Sequence, residues 1–199
     1  MLLSLSHKFL FVANLKTAST SIEAVLTNFA EIRIKQTQHG KHDTLSEISE
    51  KLPWVRRYVP YNEFFVFGVI REPVDYLLSL YNAHSRENLR GSAIPTRGMD
   101  FDTFLNVWCK DNPQAEPQHR RFTDRHGRFQ VSHLIDYDSL SKEFGAICTR
   151  LELGEVRLKH LNLSPENLTR HNLTDAQIAR IERDYAQDYA LIRNRPRAV

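Results

Sequence analysis

The run Lys8-Phe9-Leu10-Phe11-Val12-Ala13 leads almost directly into Lys16-Thr17-Ala18-Ser19-Thr20-Ser21, and this junction constrains the fold more than any other part of the chain. It reads as a strand, a tight turn and a helix start. Backbone N–H groups at a helix N-terminus lack intrahelical partners and carry the positive end of the helix dipole, so a lysine and four hydroxyls placed there suit a phosphate or a sulfate. The turn lacks the glycines and the Gly-Lys-Ser/Thr ending of an ATP-binding P-loop.

Further strands are expected at residues 31–35, 64–70 and 130–136, with helical patterns between most of them. Such alternation predicts an α/β fold, a P-loop-like three-layer sandwich with a central parallel sheet flanked by helices. Helix one starts near Ser19, Thr44 with Glu47 forms a capping-box signature, and Pro73 opens a third helix carrying Leu77, Leu78, Leu80 and Tyr81. Helical spacing resumes at Phe101-Phe104-Leu105-Val107-Trp108, after a polar loop from Arg86 to Met99 that could act as a lid. Asp138 is placed to cap a helix over 139–150, and Thr174 with Gln177 to cap a last helix ending near Arg193.

With 199 residues and 41% hydrophobic content the chain can bury one substantial core, so a single domain over 1–199 is expected. No stretch approaches the roughly 18–20 apolar residues of a membrane span, and Met1 to Ser6 lacks the charged start of a secretion signal, which predicts a cytoplasmic protein. On that reading, the acceptor-type triplets at Asn162, Asn167 and Asn172 are turn and capping residues, and Cys109 and Cys148 are buried reduced thiols. The 27 basic and 24 acidic residues are scattered, without the basic stripe and interleaved aromatics of a nucleic-acid binder. The densest basic stretch, Arg120, Arg121, Arg125 and Arg128, reads either as a solvated loop or as part of an acceptor site. His119 and His126 lack a helical zinc spacing and a nearby cysteine pair, so no metal is expected.

A second informative stretch is Phe64-Phe65-Val66-Phe67-Gly68-Val69-Ile70-Arg71-Glu72-Pro73, with Ser79 eight residues beyond the arginine. An arginine at the carboxyl end of a buried strand projects into the crevice where open α/β sheets bind ligands, and its planar fork suits bidentate contact with a phosphate. Ser79, two turns into the following helix, could face the same anion.

Together these residues resemble the sulfotransferase family that uses 3′-phosphoadenosine 5′-phosphosulfate, most closely its carbohydrate-type branch. Lys16 to Ser21 is similar to the family's 5′-phosphosulfate loop, and Arg71-Glu-Pro through Ser79-Leu-Tyr81 to its 3′-phosphate motif. Weaker likeness continues through Gln118, the segment 131–140, Asn162 and Tyr185-Ala-Gln-Asp188-Tyr189, so the pattern spans nearly the whole chain. Leu15 and Ala18 depart from it, standing where many members carry proline and glycine.

The resemblance implies in-line transfer of a sulfuryl group to a hydroxyl or amine of a carbohydrate or other small-molecule acceptor. Lys16 would stabilise charge on the departing phosphate, Thr17, Ala18, Ser19, Thr20 and Ser21 would surround the 5′-phosphate, and Arg71 and Ser79 would hold the 3′-phosphate. The implied general base is His42, 26 residues beyond Lys16, with His39 and Glu47 as substitutes and Lys41 helping to keep it neutral. The scheme requires no metal, no nucleic acid and no transmembrane segment, and leaves the oligomeric state open. A P-loop nucleotide kinase or NTPase is the alternative enzyme class, disfavoured by the missing glycines and the missing acidic strand end. A noncatalytic nucleotide-binding module of the same fold is the third reading.

Overall fold

Phe9–Val12 (β2) and Phe65–Ile70 (β4) are runs with every residue buried, the pattern of strands covered on both faces. They pair in parallel, with Val12 opposite Gly68, and β4 pairs in parallel with His133–Asp136 (β5). Two shorter strands, Leu2–Ser4 (β1) and Ile32–Arg33 (β3), complete a five-stranded sheet of order β3-β1-β2-β4-β5. The computed structural model describes residues 1–34, 42–51, 53, 63–85, 95–154, 156, 158 and 168–198.

The expected central parallel sheet also contains a strand that the sequence does not predict, β1, which runs antiparallel to both of its neighbours. A turn after Ser4 brings the chain straight back into β2, and a link this short can only join antiparallel strands. The remaining strands all run in one direction, so β2 and β4 end side by side.

Alternating side chains divide between the two sheet faces. Phe9, Phe11, Phe65, Phe67, Val69 and Ile135 pack with Ile22 and Leu26 of Ser19–Leu26 (α1) and with Phe144, Ile147 and Cys148 of a later helix. Leu10, Val12, Val66, Ile70 and Leu134 pack instead with Leu45 and Ile48 of Leu45–Lys51 (α2), with Phe122, and with Leu191 and Ile192 near the C-terminus. Pro73–His84 (α3) leads away from β4 and carries a third apolar cluster, in which Tyr76, Leu77 and Leu80 meet Phe104 and Trp108. Those two aromatics lie in a π-helical turn, Phe104–Trp108, between the helical pieces Phe101–Thr103 and Cys109–Asp111.

The capping signatures hold at Thr44/Glu47 and Thr174/Gln177, with reciprocal side-chain bonds at both. Asp138 is a correction. Asp136 accepts from the Asp138 amide and opens a short 3-10 turn, Tyr137–Ser139, so Leu140–Arg150 (α4) starts without a side-chain cap. The last helical stretch reaches Arg193 but breaks at Tyr185, between Asp175–Asp184 (α5) and Ala186–Arg193 (α6). Beyond it the tail crosses β5, where the Leu134 amide donates to the Pro196 carbonyl at 3.0 Å and the Ala198 amide donates to His133 Nδ1 at 3.1 Å.

Cys148 is buried and Cys109 half-buried, both free, and burial pushes the thiols up to about 11 and about 12. Among the described residues no helix is long and apolar enough to cross a membrane. Asn162, Asn167, Lys41, His39 and most of the Arg86 to Met99 loop lie outside the described residues.

Candidate active site

After β2 the backbone turns through two left-handed residues, Lys16 and Ala18, each with φ of 55°. That conformation disfavours a side chain, which accounts physically for a glycine preference at position 18. Left-handed residues in a turn aim successive N–H groups toward one concavity, an arrangement suited to anions. The helical ladder of α1 begins with the Ser21 and Ile22 amides, both donating to the Ala18 carbonyl at 2.9 and 3.1 Å, so the amides before Ser21 stand ahead of it.

The hydroxyls of the loop are not equivalent. Thr17, Ser19 and Ser21 are buried, whereas Thr20 is exposed. Thr17 Oγ1 donates its proton to the Asn14 carbonyl at 3.1 Å, so that hydroxyl braces the turn.

Arg71 begins where β4 ends, and the parallel register places it beside the Lys16 loop. Its Nη1 donates to the Lys16 carbonyl at 3.2 Å, and its guanidinium lies 4.4 Å from the centre of the Tyr137 ring. Arg71 Nε is buried without a hydrogen-bond partner. Glu72 caps α3 by accepting from the Asp75 amide at 2.9 Å, and Pro73 occupies the first helical turn, so the arginine sits at a fixed strand-to-helix corner. Ser79 is half-buried two turns along α3 and makes no direct hydrogen bond to Arg71.

His42 reaches the same strand end. Its Nδ1 lies 3.3 Å from the Ala13 carbonyl. A carbonyl oxygen only accepts, so Nδ1 carries the proton and the neutral ring has Nε2 as its acceptor nitrogen. The backbone of His42 is held from behind by Arg121, whose Nη1 donates to the His42 carbonyl. The substitute base Glu47 is committed to the capping box, where it accepts from the Thr44 amide at 2.7 Å.

Arg121 separates from the rest of its basic cluster. It is 8% exposed, whereas Arg125 is exposed, Arg128 pairs with Asp124 at 3.0 Å and Arg120 pairs with Glu116 at 3.6 Å, both on the surface. A groove runs alongside, between Thr44 and Glu47 on one wall and Pro113, Glu116, Arg120 and Arg121 on the other.

The structure therefore brings Lys16, Ala18, Arg71 and His42 to adjoining corners of two neighbouring strands. Gln118, which carried only a weak signal in the sequence, proves central to this arrangement, since its buried amide bonds to Asn14 and to both backbone groups of Arg71. Its recruiting partner Asp188 is 0% exposed and lies 70 residues away, beyond the reach of any local pattern. Among the described residues no cluster of three or more His, Cys, Asp or Glu side chains could hold a metal ion.

These features define an α/β protein with two cation-bearing strand-to-helix junctions set side by side. A sequence model of the sulfotransferase family matches residues 1–186, and the chain belongs to that family. Comparison with curated proteins and with solved structures gives no match.

Proposed function

We propose that the chain transfers a sulfuryl group from 3′-phosphoadenosine 5′-phosphosulfate to a hydroxyl or amine of a carbohydrate or other small-molecule acceptor, in one P-loop-like α/β domain. The observation that carries this reading is the contact of Arg71 with the Lys16 carbonyl at 3.2 Å. Two basic corners this close suit a ligand with negative charge at two separated positions, and the buried Nε of Arg71 has hydrogen-bonding capacity to spare.

Lys16 and the loop from Thr17 to Ser21 would surround the 5′-phosphosulfate, and Arg71 with Ser79 the 3′-phosphate. His42 Nε2 takes the proton of the acceptor as its oxygen or nitrogen bonds to sulfur. The bond from sulfur to the bridging oxygen breaks, and that oxygen leaves on the phosphate with the electron pair. Lys16 offsets the charge that grows there, which is the form of catalysis expected when positioning and electrostatics dominate.

Titration of the purified chain with adenosine 3′,5′-bisphosphate tests the reading, with Arg71→Ala alongside. Binding that weakens at least tenfold in Arg71→Ala is the expected result, followed by transfer of labelled sulfate from the donor to a fraction of glycans or small metabolites. Absence of bisphosphate binding, or a preference for magnesium-ATP, overturns it. Tight binding with no transfer to any acceptor class would identify a noncatalytic module.

A further inference from the structure

Where β4 stops pairing, Arg71 has a backbone N–H and C=O that no neighbouring strand meets. The Gln118 side chain takes both, accepting from the Arg71 amide at 3.1 Å and donating to the Arg71 carbonyl at 2.7 Å. Those backbone partners have fixed roles, so the amide's orientation follows from them. The same Oε1 accepts from Asn14 Nδ2 at 2.9 Å, and Asn14 in turn donates to the Val69 carbonyl at 3.1 Å and accepts from the Leu15 amide at 2.8 Å. One buried side chain thus ties the corner after β2 to the corner after β4.

Gln118 is itself held from the C-terminal helix α6. Asp188 accepts from the Gln118 amide at 2.7 Å and from the His119 amide at 2.8 Å, and His119 Nδ1 lies 2.8 Å from the same carboxylate. At the far end of the 3-10 turn Gln118–Phe122, Arg121 holds the His42 carbonyl. A five-residue turn therefore touches all three sequence-distant pieces that carry Lys16, His42 and Arg71.

We propose that Gln118, anchored by Asp188, is a positioning residue that sets the spacing between the Lys16 loop and the Arg71 corner. This rests on the reading of those two corners as the sites of the donor's phosphates. Gln118 acts through Arg71 and Asn14. Removing its amide leaves buried backbone groups unmatched and frees the Arg71 corner to shift, and a displacement of about 1 Å at such a site costs on the order of 100-fold in rate.

The test compares wild type, Gln118→Ala and Gln118→Glu as full chains, by calorimetric titration with adenosine 3′,5′-bisphosphate and by amide hydrogen exchange at Arg71 without ligand. Gln118→Ala is expected to bind the bisphosphate at least tenfold more weakly and to lose protection at the Arg71 amide. Gln118→Glu keeps the accepting oxygens and loses the donor at high pH. Its protonated carboxyl regains a donor as pH falls to about 5, so its affinity relative to Gln118→Ala should recover on acidification. Unchanged exchange at Arg71 in Gln118→Ala, or identical pH profiles for the two variants, overturns the proposal. If wild type fails to bind bisphosphate, the donor reading falls, and the exchange measurement still decides whether Gln118 holds the corner. Should Gln118→Ala not fold, the protection of the Arg71 amide in Gln118→Glu, taken relative to wild type at the same pH, decides alone, with no gain in relative protection as pH falls to about 5 as the overturning result.

Discussion

Gly68 and Phe122 are in closer apposition than any larger residue at 68 would allow: a Cβ on Gly68 would lie 2.5 Å from Phe122 Cε1 and 3.2 Å from the Val12 carbonyl. Phe122 is 0% exposed and ends the turn that begins at Gln118. Gly68→Ala should therefore cost about 1–3 kcal/mol through overpacking of a filled core. Urea denaturation would measure the loss, and a shift of the turn should weaken bisphosphate binding in the same variant.

Lys16→Ala should lower turnover by about 100- to 1000-fold, the range for removing one group that stabilises developing charge. His42→Ala should lose about 100- to 10,000-fold while retaining bisphosphate affinity, because the proposed role of the ring is to meet the acceptor and not the phosphates of the nucleotide. Single-turnover transfer of labelled sulfate, set beside a binding titration, separates the two effects. A fully active His42→Ala enzyme would move the base elsewhere.

The left-handed φ of 55° at Ala18 predicts an asymmetric response to substitution. Glycine removes a conformational penalty of about 1–2 kcal/mol and returns part of it as unfolded-chain entropy, so Ala18→Gly should be more stable by up to about 1 kcal/mol. Ala18→Val, with a branched side chain in the same conformation, should be clearly destabilised. Chemical denaturation of the three proteins gives the order directly.

His133 links pH to the C-terminal tail. It is 1% exposed, and burial holds its imidazole below the ordinary 6.5, against the opposing pull of Glu143, while Arg195 and Arg197 push the same way as burial. Nδ1 accepts from the Ala198 amide, so Nε2 carries the hydrogen that faces Glu143 Oε2 at 3.0 Å. Below pH 6.5 the unfolded chain binds a proton that the folded chain refuses, so this site's contribution to stability is full above 6.5 and falls as pH drops through the lower folded value. Denaturation curves at pH 7.5 and 5.5 should show a drop for wild type and a smaller one for His133→Gln.

The first and third strand-to-helix junctions are legible in the sequence because their signals are local: a buried apolar run, a cap or proline, and a charged residue at the corner. Lys16 and Arg71 could be placed at strand ends for that reason alone. Strand β1 escapes such reading, since Leu2–Ser4 has three residues and becomes a strand only through pairing with Phe11, Leu10 and Phe9 on one side and Arg33 and Ile32 on the other. Gln118 carries only a weak signal in one dimension, and Arg121 reads there as one arginine of a basic stretch. Each lies in a polar stretch that reads as loop, and their burial arises from partners at Asn14, His42, Arg71 and Asp188 that only the folded chain brings near.

The tail segment lying along β5 has a bearing on solution behaviour. By satisfying the Leu134 amide with the Pro196 carbonyl, it covers an outer strand whose free N–H and C=O groups would otherwise template pairing with another molecule. Shortening the chain before Arg195 would uncover that border, and the shortened protein should self-associate through it as concentration rises.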